Sequence, residues 1–242
     1  MTKILSQEAC IDILKKDHIK NINMINFIEN YNVQDFIAIG DAVLAKGVSD
    51  KLWIYISAAN ESELKSLLPY LSDEDRDYAV IEDWMMPILT HGHKILWDMP
   101  IMKLYLPDTV QFESTLSPHF PSPLTLGEAE HVYMNSDYQE YLTIPYIQER
   151  IFNGYSMCIR KDGVPAAWAM THDDGAIGFL HVMPEARKHG LALEVTYAMI
   201  QQLRNHGKVP FVHIETKNEK SMNLAKKIGF VEDRIIHWFS MK

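Results

Sequence analysis

A basic stretch with one glycine, EARKHGLALEV at residues 185–195, combines the features of a phosphate-binding loop. Its cationic side chains are Arg187 and Lys188, with His189 beside them, and Gly190 precedes an amphipathic segment. Free backbone N–H groups at a helix start, together with the positive end of the helix dipole, attract phosphate oxygens. Glycine at this point lets a diphosphate approach the main chain, because no Cβ stands in the way. In a chain with a surplus of acidic residues, this stretch predicts a site for a polyanionic cofactor.

Two motifs with a predicted strand between them lie in the second half of the chain. The first is an apolar strand ending in V-x-P, then [QR]-x-x-G-x-[GA] and a helix, and its places are filled by Val182, Pro184, Arg187, Gly190 and Ala192. The second, N-x-x-[AS]-x-x-L-[Y]-x-K-x-G-F, is filled by Asn218, Ser221, Leu224, Lys227, Gly229 and Phe230, with Ala225 at the tyrosine's place. On these motifs, residues 125–242 resemble the GNAT superfamily of acyl-CoA-dependent N-acyltransferases. The sequence of the segment MPEARKHGL looks most similar to the glycine N-acyltransferase-like branch of this superfamily.

The resemblance implies that acetyl-CoA, or another acyl-CoA, binds as cosubstrate. In such folds the fourth strand offers main-chain hydrogen bonds to the pantetheine arm, and here that strand carries Leu180, His181 and Val182. The backbone amides implied to hold the diphosphate are those of Lys188, His189, Gly190, Leu191, Ala192 and Leu193. The residues implied to lie near the pantetheine and its thiol end are Asn218 and Ser221.

Acyl transfer from a thioester to an amine requires a neutral amine, a stabilised oxyanion and a protonated thiolate. Many GNAT enzymes carry a glutamate and a tyrosine for two of these tasks, and the matching places are Ala176 and Ala225. Other members carry the base on the fifth strand, where this chain has His213, a residue type that accepts protons near neutral pH. Two further candidates for the base are His181 and Glu215, the latter on the same strand face as His213 because strand side chains alternate.

These residues predict an N-acyltransferase, in the simplest case an acetyltransferase, that acts on the amine of a small molecule or an amino acid. Ser221 or a water molecule is the candidate for protonating the thiolate, and a main-chain N–H near His181 is the candidate oxyanion donor. Two alternatives stay open. Because Ala176 and Ala225 replace usual catalytic side chains, a sensor or scaffold that binds acyl-CoA without turnover is one of them. A peptide N-terminal acetyltransferase, which needs an open groove, is the other.

The elements that must position these residues follow from apolar spacing and turn residues. Mixed spacings of three and four over residues 6–31 predict two helices joined near His18. Three strand-like runs follow, namely DFIAIG, AVLAKG and KLWIYISA. NESELKSLLPYL predicts a helix with Asn60 as N-cap and Glu63 completing a capping box. The first half ends with a strand at DYAVIED, a short helix at WMMPILTHG and a strand at KILWDMPIMKLYL that Pro100 interrupts.

The second half repeats this order of elements. Helical material ends at Gly154, and three strands follow, the first two joined by a tight turn at Asp162 and Gly163. Apolar residues recurring every four positions predict the longest helix from Lys188 to His206. The remaining elements are a strand at KVPFVHIE, a capped helix at NEKSMNLAKKIG and a final strand at FVEDRIIHWFSM.

Each half therefore reads as helices, three strands, helix, strand, helix and strand, which predicts an α/β (α+β) unit used twice. With the resemblance, this predicts a two-domain GNAT fold with a mixed central sheet flanked by helices. The expected parts are a degenerate GNAT-like domain at 1–106, a proline-rich linker at 107–124 and a complete catalytic, acyl-CoA-binding GNAT domain at 125–242. At the place of the glycine loop the first half has NESELKSLL, whose two glutamates would repel phosphate.

Composition argues against several function classes. Aspartate and glutamate outnumber lysine and arginine by 32 to 23 with no run of five basic residues, so nucleic acid is not an expected partner. The two cysteines form no CxxC pair and no HExxH spacing occurs, which predicts a reducing compartment and no metal site. No signal peptide or membrane span is predicted, so we expect a cytoplasmic protein without a membrane partner. The acidic surface favours a cationic acceptor.

Overall fold

A computed structural model describes residues 3–4, 6–112 and 119–242. The predicted linker falls partly on residues 113–118, Pro118 included, which lie outside the described residues. The chain divides into two compact units. The first comprises Met1–Lys103, Ile214–Asn218 and Glu232–Lys242, and the second comprises Leu104–His213 and Glu219–Val231. The domain limits at 106 and 125 stay a prediction.

Helices and strands follow the predicted order along the whole described chain. In the first half they are β1 Lys3–Ile4, α1 Gln7–Leu14, α2 His18–Asn30, β2 Val33–Ile39, β3 Ala42–Val48, β4 Leu52–Ser57, α3 Glu61–Leu67, β5 Asp77–Glu82, α4 Met86–Leu89 and β6 Ile95–Tyr105. In the second half they are α5 Ala129–Met134, α6 Ile144–Asn153, β7 Ser156–Lys161, β8 Val164–Thr171, β9 Ile177–Val182, α7 Leu191–Asn205, β10 Phe211–Glu215, α8 Glu219–Ile228 and β11 Val231–Met241. The expectation of two helices joined near His18 is confirmed.

The first unit is built on a mixed sheet with helices on both faces. Strands β1 to β5 lie side by side in chain order, and β11 lies between β5 and β6. Their recorded pairings are antiparallel except that of β4 with β5, which is parallel. Because side chains alternate along a strand, Ala45 and Tyr55 join the apolar cluster of α1 and α2, whereas Leu44 and Ile54 join that of α3 and α4.

A buried ammonium group joins three segments of the first unit. Lys103 has no exposed side-chain surface, and its Nζ donates to the carbonyl oxygens of Ile19 at 2.7 Å and Lys20 at 2.9 Å. The carboxylate of Asp233 lies 3.0 Å from the same nitrogen. Burial lowers the pKa of Lys103, and the charge of Asp233 opposes that change. This arrangement fastens α2 and β11 to the middle of β6.

The expected interruption of the last strand of the first half at Pro100 is wrong. Strand β6 runs without a break from Ile95 to Tyr105. Proline removes one backbone donor and fixes φ near a value that extended backbone also adopts, so a strand tolerates it where no ladder bond needs that donor.

The strands of the second unit also run in mixed directions. Strands β7, β8 and β9 form an antiparallel meander, and β10 runs parallel to β9. The predicted turn at Asp162 and Gly163 is confirmed, with φ of 52° and 81° at the two residues. Trp168 and Met170 of β8 are buried in a cluster with α5 and α6, and α7 packs across β7, β8 and β9. A mixed sheet flanked by helices is thus confirmed in both units.

Helix α7 begins three residues later than the sequence predicts. The predicted start was Lys188, but Lys188 has a φ of 67° and Gly190 a φ of 80°, so both lie in the left-handed region. A right-handed helix cannot include such backbone, and its first residue is therefore Leu191. A single 3-10 turn, Pro184–Ala186, precedes this loop.

Strand β9 contains a β-bulge at Phe179 and Leu180. Trp168 pairs with His181 and Met170 with Gly178, so β9 uses one residue more than β8 over this stretch, and Phe179 has a φ of 52°. In the part of the chain that the structure describes, the parallel pairing with β10 is recorded only before the bulge, between Ile177 and Val212. Because a bulge bends its strand, this one marks where β9 leaves the regular ladder.

The C-terminus of α6 provides a test of packing in the second unit. A Cβ at Gly154 would lie 2.7 Å from the carbonyl oxygen of Arg150 and 2.8 Å from Oγ1 of Thr171. We expect Gly154→Ala to lower the free energy of unfolding by about 1–3 kcal/mol, because these atoms must shift. Urea denaturation measures the change. Gly127→Ala is the control, since nothing lies within 4 Å of a Cβ there, and equal effects of the two substitutions would contradict the packing.

Candidate active site

The loop before α7 presents unused backbone donors. Within the described residues, the N–H groups of 188–192 donate no recorded hydrogen bond, whereas those of Leu193 and Glu194 donate to the carbonyl oxygen of Gly190 at 3.0 and 3.2 Å. No capping side chain bonds to this helix start. A Cβ at Gly190 would approach nothing closer than Oε1 of Glu194, at 3.8 Å. Open amides, left-handed backbone and exposed basic side chains form an accessible cradle for an anion.

Helix α3, at the equivalent place in the first unit, has a closed start. Asn60 Oδ1 accepts the backbone N–H of Glu63 at 3.0 Å, and Glu63 Oε2 accepts that of Ala59 at 2.8 Å. Asn60 is therefore confirmed as the N-cap, whereas the second bond of the predicted capping box differs, because Glu63 accepts from Ala59 and not from the N-cap residue itself. Since side chains satisfy these donors and add negative charge at Glu61 and Glu63, this helix start does not suit a phosphate.

The strand expected to hold the pantetheine arm follows the bulge directly. Leu180 is exposed, His181 and Val182 are partly buried, and all three lie beyond the last recorded partner of β10. Arg187 Nε donates to the carbonyl oxygen of Val182 at 3.0 Å, which ties the basic loop to the end of β9. The second unit thus places the basic loop and the end of β9 next to each other in the chain.

His181 lies against an aromatic surface. Its ring stacks on Trp168 with centroids 4.8 Å apart, and His131 meets the same indole edge-on at 5.4 Å. Within the described residues, His181 Nε2 is buried and has no hydrogen-bond partner. Burial lowers the pKa of His181 from its usual value, and the negative charge of Asp137 opposes that shift. Burial therefore favours the neutral form of this imidazole.

His213 lies beside a fully buried carboxylate. Its Nδ1 is 3.7 Å from Oδ2 of Asp174, and the exposed fractions of the two side chains are 9% and 0%. The other oxygen of Asp174 accepts the backbone N–H of Ala176 at 3.0 Å, and the ring of Phe211 meets the imidazole edge-on. The structure thus brings together an aspartate and a histidine that are far apart in the sequence.

The remaining predicted residues have simpler surroundings. Glu215 forms an ion pair with Lys217 at 2.9 Å, and its carbonyl oxygen accepts the backbone N–H of Asn218 at 2.8 Å. Ser221 lies in the first turns of α8, in the second unit, whereas Glu215 and Asn218 belong to the first. The alanines at the usual glutamate and tyrosine places are both buried, at 176 and 225.

Sequence reasoning missed Asp174, Asp137 and His131. An Asp-Asp-Gly turn between two strands is ordinarily a solvated loop, and nothing in its composition indicates that Asp174 is buried. The positions of His131, Trp168 and His181 in the sequence show no regular spacing that would indicate their contact. Only the cross-strand pairing of Trp168 with His181 would have indicated that cluster, and pairing depends on the position of the bulge.

Comparison with known proteins places this architecture. Residues 157–239 match the family model of the FR47-like proteins. A crystal structure of a Drosophila protein is similar over 100% of this chain and 98% of its own, with a TM-score of 0.80 and 15% identity. The structure of a GCN5-related N-acetyltransferase-like protein from Streptococcus suis is also similar. The match spans 98% of this chain and 100% of the Streptococcus protein, with a TM-score of 0.57 and 13% identity. The chain has the GNAT fold.

A third similar structure is that of a tandem GNAT protein from the clavulanic acid biosynthesis pathway, crystallised without AcCoA. It covers 100% of this chain and 98% of its own, with a TM-score of 0.54 and 11% identity. No curated protein matches the sequence. Among the helices of the described residues, none has the length and apolar character needed to cross a bilayer.

The protonation of His181 can be measured directly. We expect its imidazole to titrate below the usual histidine value of about 6.5, because burial favours the neutral ring. Asp137→Asn should lower the midpoint further, since it removes the opposing charge, whereas Glu140→Gln in the same loop should leave it unchanged. Histidine NMR titration, with His181 assigned from His181→Gln, gives the three midpoints. A midpoint above the usual value would contradict the burial described above.

Proposed function

We propose that this protein is an acyl-CoA-dependent N-acyltransferase that transfers an acyl group, in the simplest case acetyl, to the amine of a small molecule or an amino acid. The observation that carries the proposal is the open row of amides at residues 188–192 beside the basic side chains. The GNAT fold and the FR47-like match support it. The tandem GNAT structure, whose printed description mentions AcCoA, supports acyl-CoA as the cosubstrate.

The loop before α7 and the end of β9 offer groups that suit acyl-CoA. We propose that the amides of Lys188 to Ala192 hold the diphosphate, with Arg187 and Lys188 adding positive charge. Leu193, which belongs to the predicted set, already donates its N–H within the helix and contributes less. The free edge of β9 at 180–182 suits the pantetheine arm, and Asn218 and Ser221 are proposed near its thiol end. Acyl-CoA itself supplies the acyl group activated as a thioester.

Proton transfer falls to the histidines in this proposal. His213 removes a proton from the ammonium form of the acceptor, and the neutral amine then forms the C–N bond as the C–S bond breaks. A main-chain N–H near His181 or Val182 stabilises the charge on the acyl oxygen. Ser221 or water gives a proton to the thiolate, and the proton that the nitrogen loses as the amide forms replaces it. His181, unpartnered at Nε2, is the second candidate for the base. Glu215, on the same strand face as His213, is the third.

The class of acceptor can be proposed more narrowly, because the sequence of residues 183–191 resembles the glycine N-acyltransferase-like branch. On that basis we propose an amino acid as the first acceptor to test and the cytoplasm as the place of action. The 1–106 half is proposed as a structural domain and 125–242 as the catalytic one. The closed start of α3 supports this division, because the first half lacks an anion cradle there.

A protein that binds acyl-CoA without turnover is the second candidate function. The side chains at the places of the usual glutamate and tyrosine, Ala176 and Ala225, are packed in the core rather than replaced by other polar groups. Such a protein would keep the diphosphate cradle and release no coenzyme A thiol with any amine.

Binding of acyl-CoA is tested at the loop. We expect Gly190→Glu to weaken acetyl-CoA binding at least about 100-fold, because a carboxylate would face the diphosphate at contact distance and block its approach to the amides. Isothermal titration calorimetry measures the dissociation constant. Gly92→Glu is the matched control, since Gly92 has the same φ of 80° and nothing within 4 Å of a Cβ. Unchanged binding by Gly190→Glu would refute the assignment of the loop.

Turnover is tested with a panel of amines and amino acids, by following release of the coenzyme A thiol. We expect His213→Ala to lower kcat/KM roughly 100-fold, the usual contribution of a general base, with little change in acetyl-CoA affinity. His181→Ala should act in the same way if His181 shares the proton transfer. Tight binding of acetyl-CoA with no thiol release from any amine would favour the non-catalytic binder instead.

A further inference from the structure

The turn between β8 and β9 holds a carboxylate that solvent does not reach. Asp174 has no exposed side-chain surface and Asp173 beside it is buried as well. One oxygen of Asp174 accepts the N–H of Ala176 within the same turn, at 3.0 Å. The other oxygen faces the imidazole of His213, at 3.7 Å from Nδ1.

A carboxylate in such a place needs compensation. Removing an ionised carboxylate from water costs several kcal/mol unless hydrogen bonds or an opposite charge offset the loss. The backbone N–H of Ala176 offsets part of it, and a positively charged imidazole at His213, the other group recorded beside the carboxylate, would offset more. Conversely, the buried carboxylate favours the protonated form of the ring over the neutral form. The pair is thus electrostatically matched to a histidine that gains a proton.

We propose that Asp174 is a positioning residue for His213. Its carboxylate keeps the ring proton on Nδ1, so that Nε2 is the nitrogen that takes up a proton, and it stabilises the imidazolium that results. This inference rests on the proposed function, with His213 as its base. Many GNAT enzymes carry a glutamate at the place of Ala176. Asp174 supplies a carboxylate two residues before that place, and here the carboxylate acts through a histidine.

The proton balance is simple. A proton leaves the acceptor ammonium and binds Nε2 of His213, while the Nδ1 proton stays on the ring and Asp174 stays ionised. The distance of 3.7 Å is longer than a hydrogen bond, and catalytic contacts of this kind shorten when the substrates are bound. Phe211, packed edge-on against the ring, limits its rotation from the other side.

The test compares Asp174→Asn with Asp173→Asn, its buried neighbour in the same turn. We expect Asp174→Asn to lower kcat about 10-fold or more with KM for acetyl-CoA unchanged, because the imidazolium loses its counter-charge. The acid limb of the kcat/KM profile should move down by roughly one pH unit, since a nearby carboxylate favours the charged ring. Asp173→Asn should leave the position of that limb unchanged. Adding Asp174→Asn to His213→Ala should cause no further loss.

A second measurement needs neither a variant nor turnover. The nitrogen chemical shifts of His213 are measured in the wild-type protein at a pH where the ring is neutral. They should report the tautomer that is protonated at Nδ1. Two results would overturn this inference and leave the proposed function standing. One is that His213 is protonated at Nε2 instead of Nδ1. The other is that Asp174→Asn leaves the pH profile unshifted while His213→Ala is inactive. Full activity of His213→Ala would overturn the assignment of the base and the role of Asp174 with it. Absence of turnover with every amine would overturn the proposed function itself.

Discussion

The left-handed backbone at Lys188 and Gly190 is the constraint on which the candidate site depends. A helix normally satisfies its first N–H groups with a capping side chain, and the start of α7 has none. Leaving several donors unsatisfied at an exposed loop costs little while water is present, and it leaves them available to an anion. The two left-handed residues set the direction of these donors, because they turn the chain sharply between the end of β9 and the first turn of the helix. Under the proposed function, recognition of phosphate would depend on backbone conformation more than on any one side chain.

The same order of elements gives different results in the two units because their local chemistry differs. Helix α3 is closed by Asn60 and Glu63, while α7 is preceded by glycine and basic residues. The first unit uses charge inside its structure, where Lys103 meets two carbonyl oxygens and Asp233. An ammonium group so placed holds segments together and is not exposed to a ligand. The buried charge of Lys103 stabilises the first unit, whereas the basic side chains before α7 in the second unit are exposed and accessible to a ligand.

Much of the fold follows from the sequence, because apolar period and turn residues dominate local structure. The N-cap at Asn60, the turn at Asp162 and Gly163, and the order of helices and strands after β1 were all predicted from such local patterns. The start of α7 was misplaced, since propensity does not reveal that a lysine adopts left-handed backbone. Pro100 was also misjudged, because a strand accepts proline wherever the missing donor is not needed.

The candidate site was less predictable, since it depends on contacts between distant segments. Motif spacing indicated His213 and His181, but not that Asp174 faces one of them and Trp168 the other. The bulge at Phe179 decides which side chain of β9 lies over Trp168, and one extra residue in a strand leaves no recognisable pattern. Burial of a charged turn residue is likewise a property of the assembled fold.

Strand β11 has a consequence for how the protein is made. It follows the second unit in the chain, yet it lies between β5 and β6 in the sheet of the first unit. During translation, the edges of β5 and β6 therefore stay unpaired until the whole second unit and residues 232–241 have been made. The first unit cannot complete its sheet on the ribosome before that point.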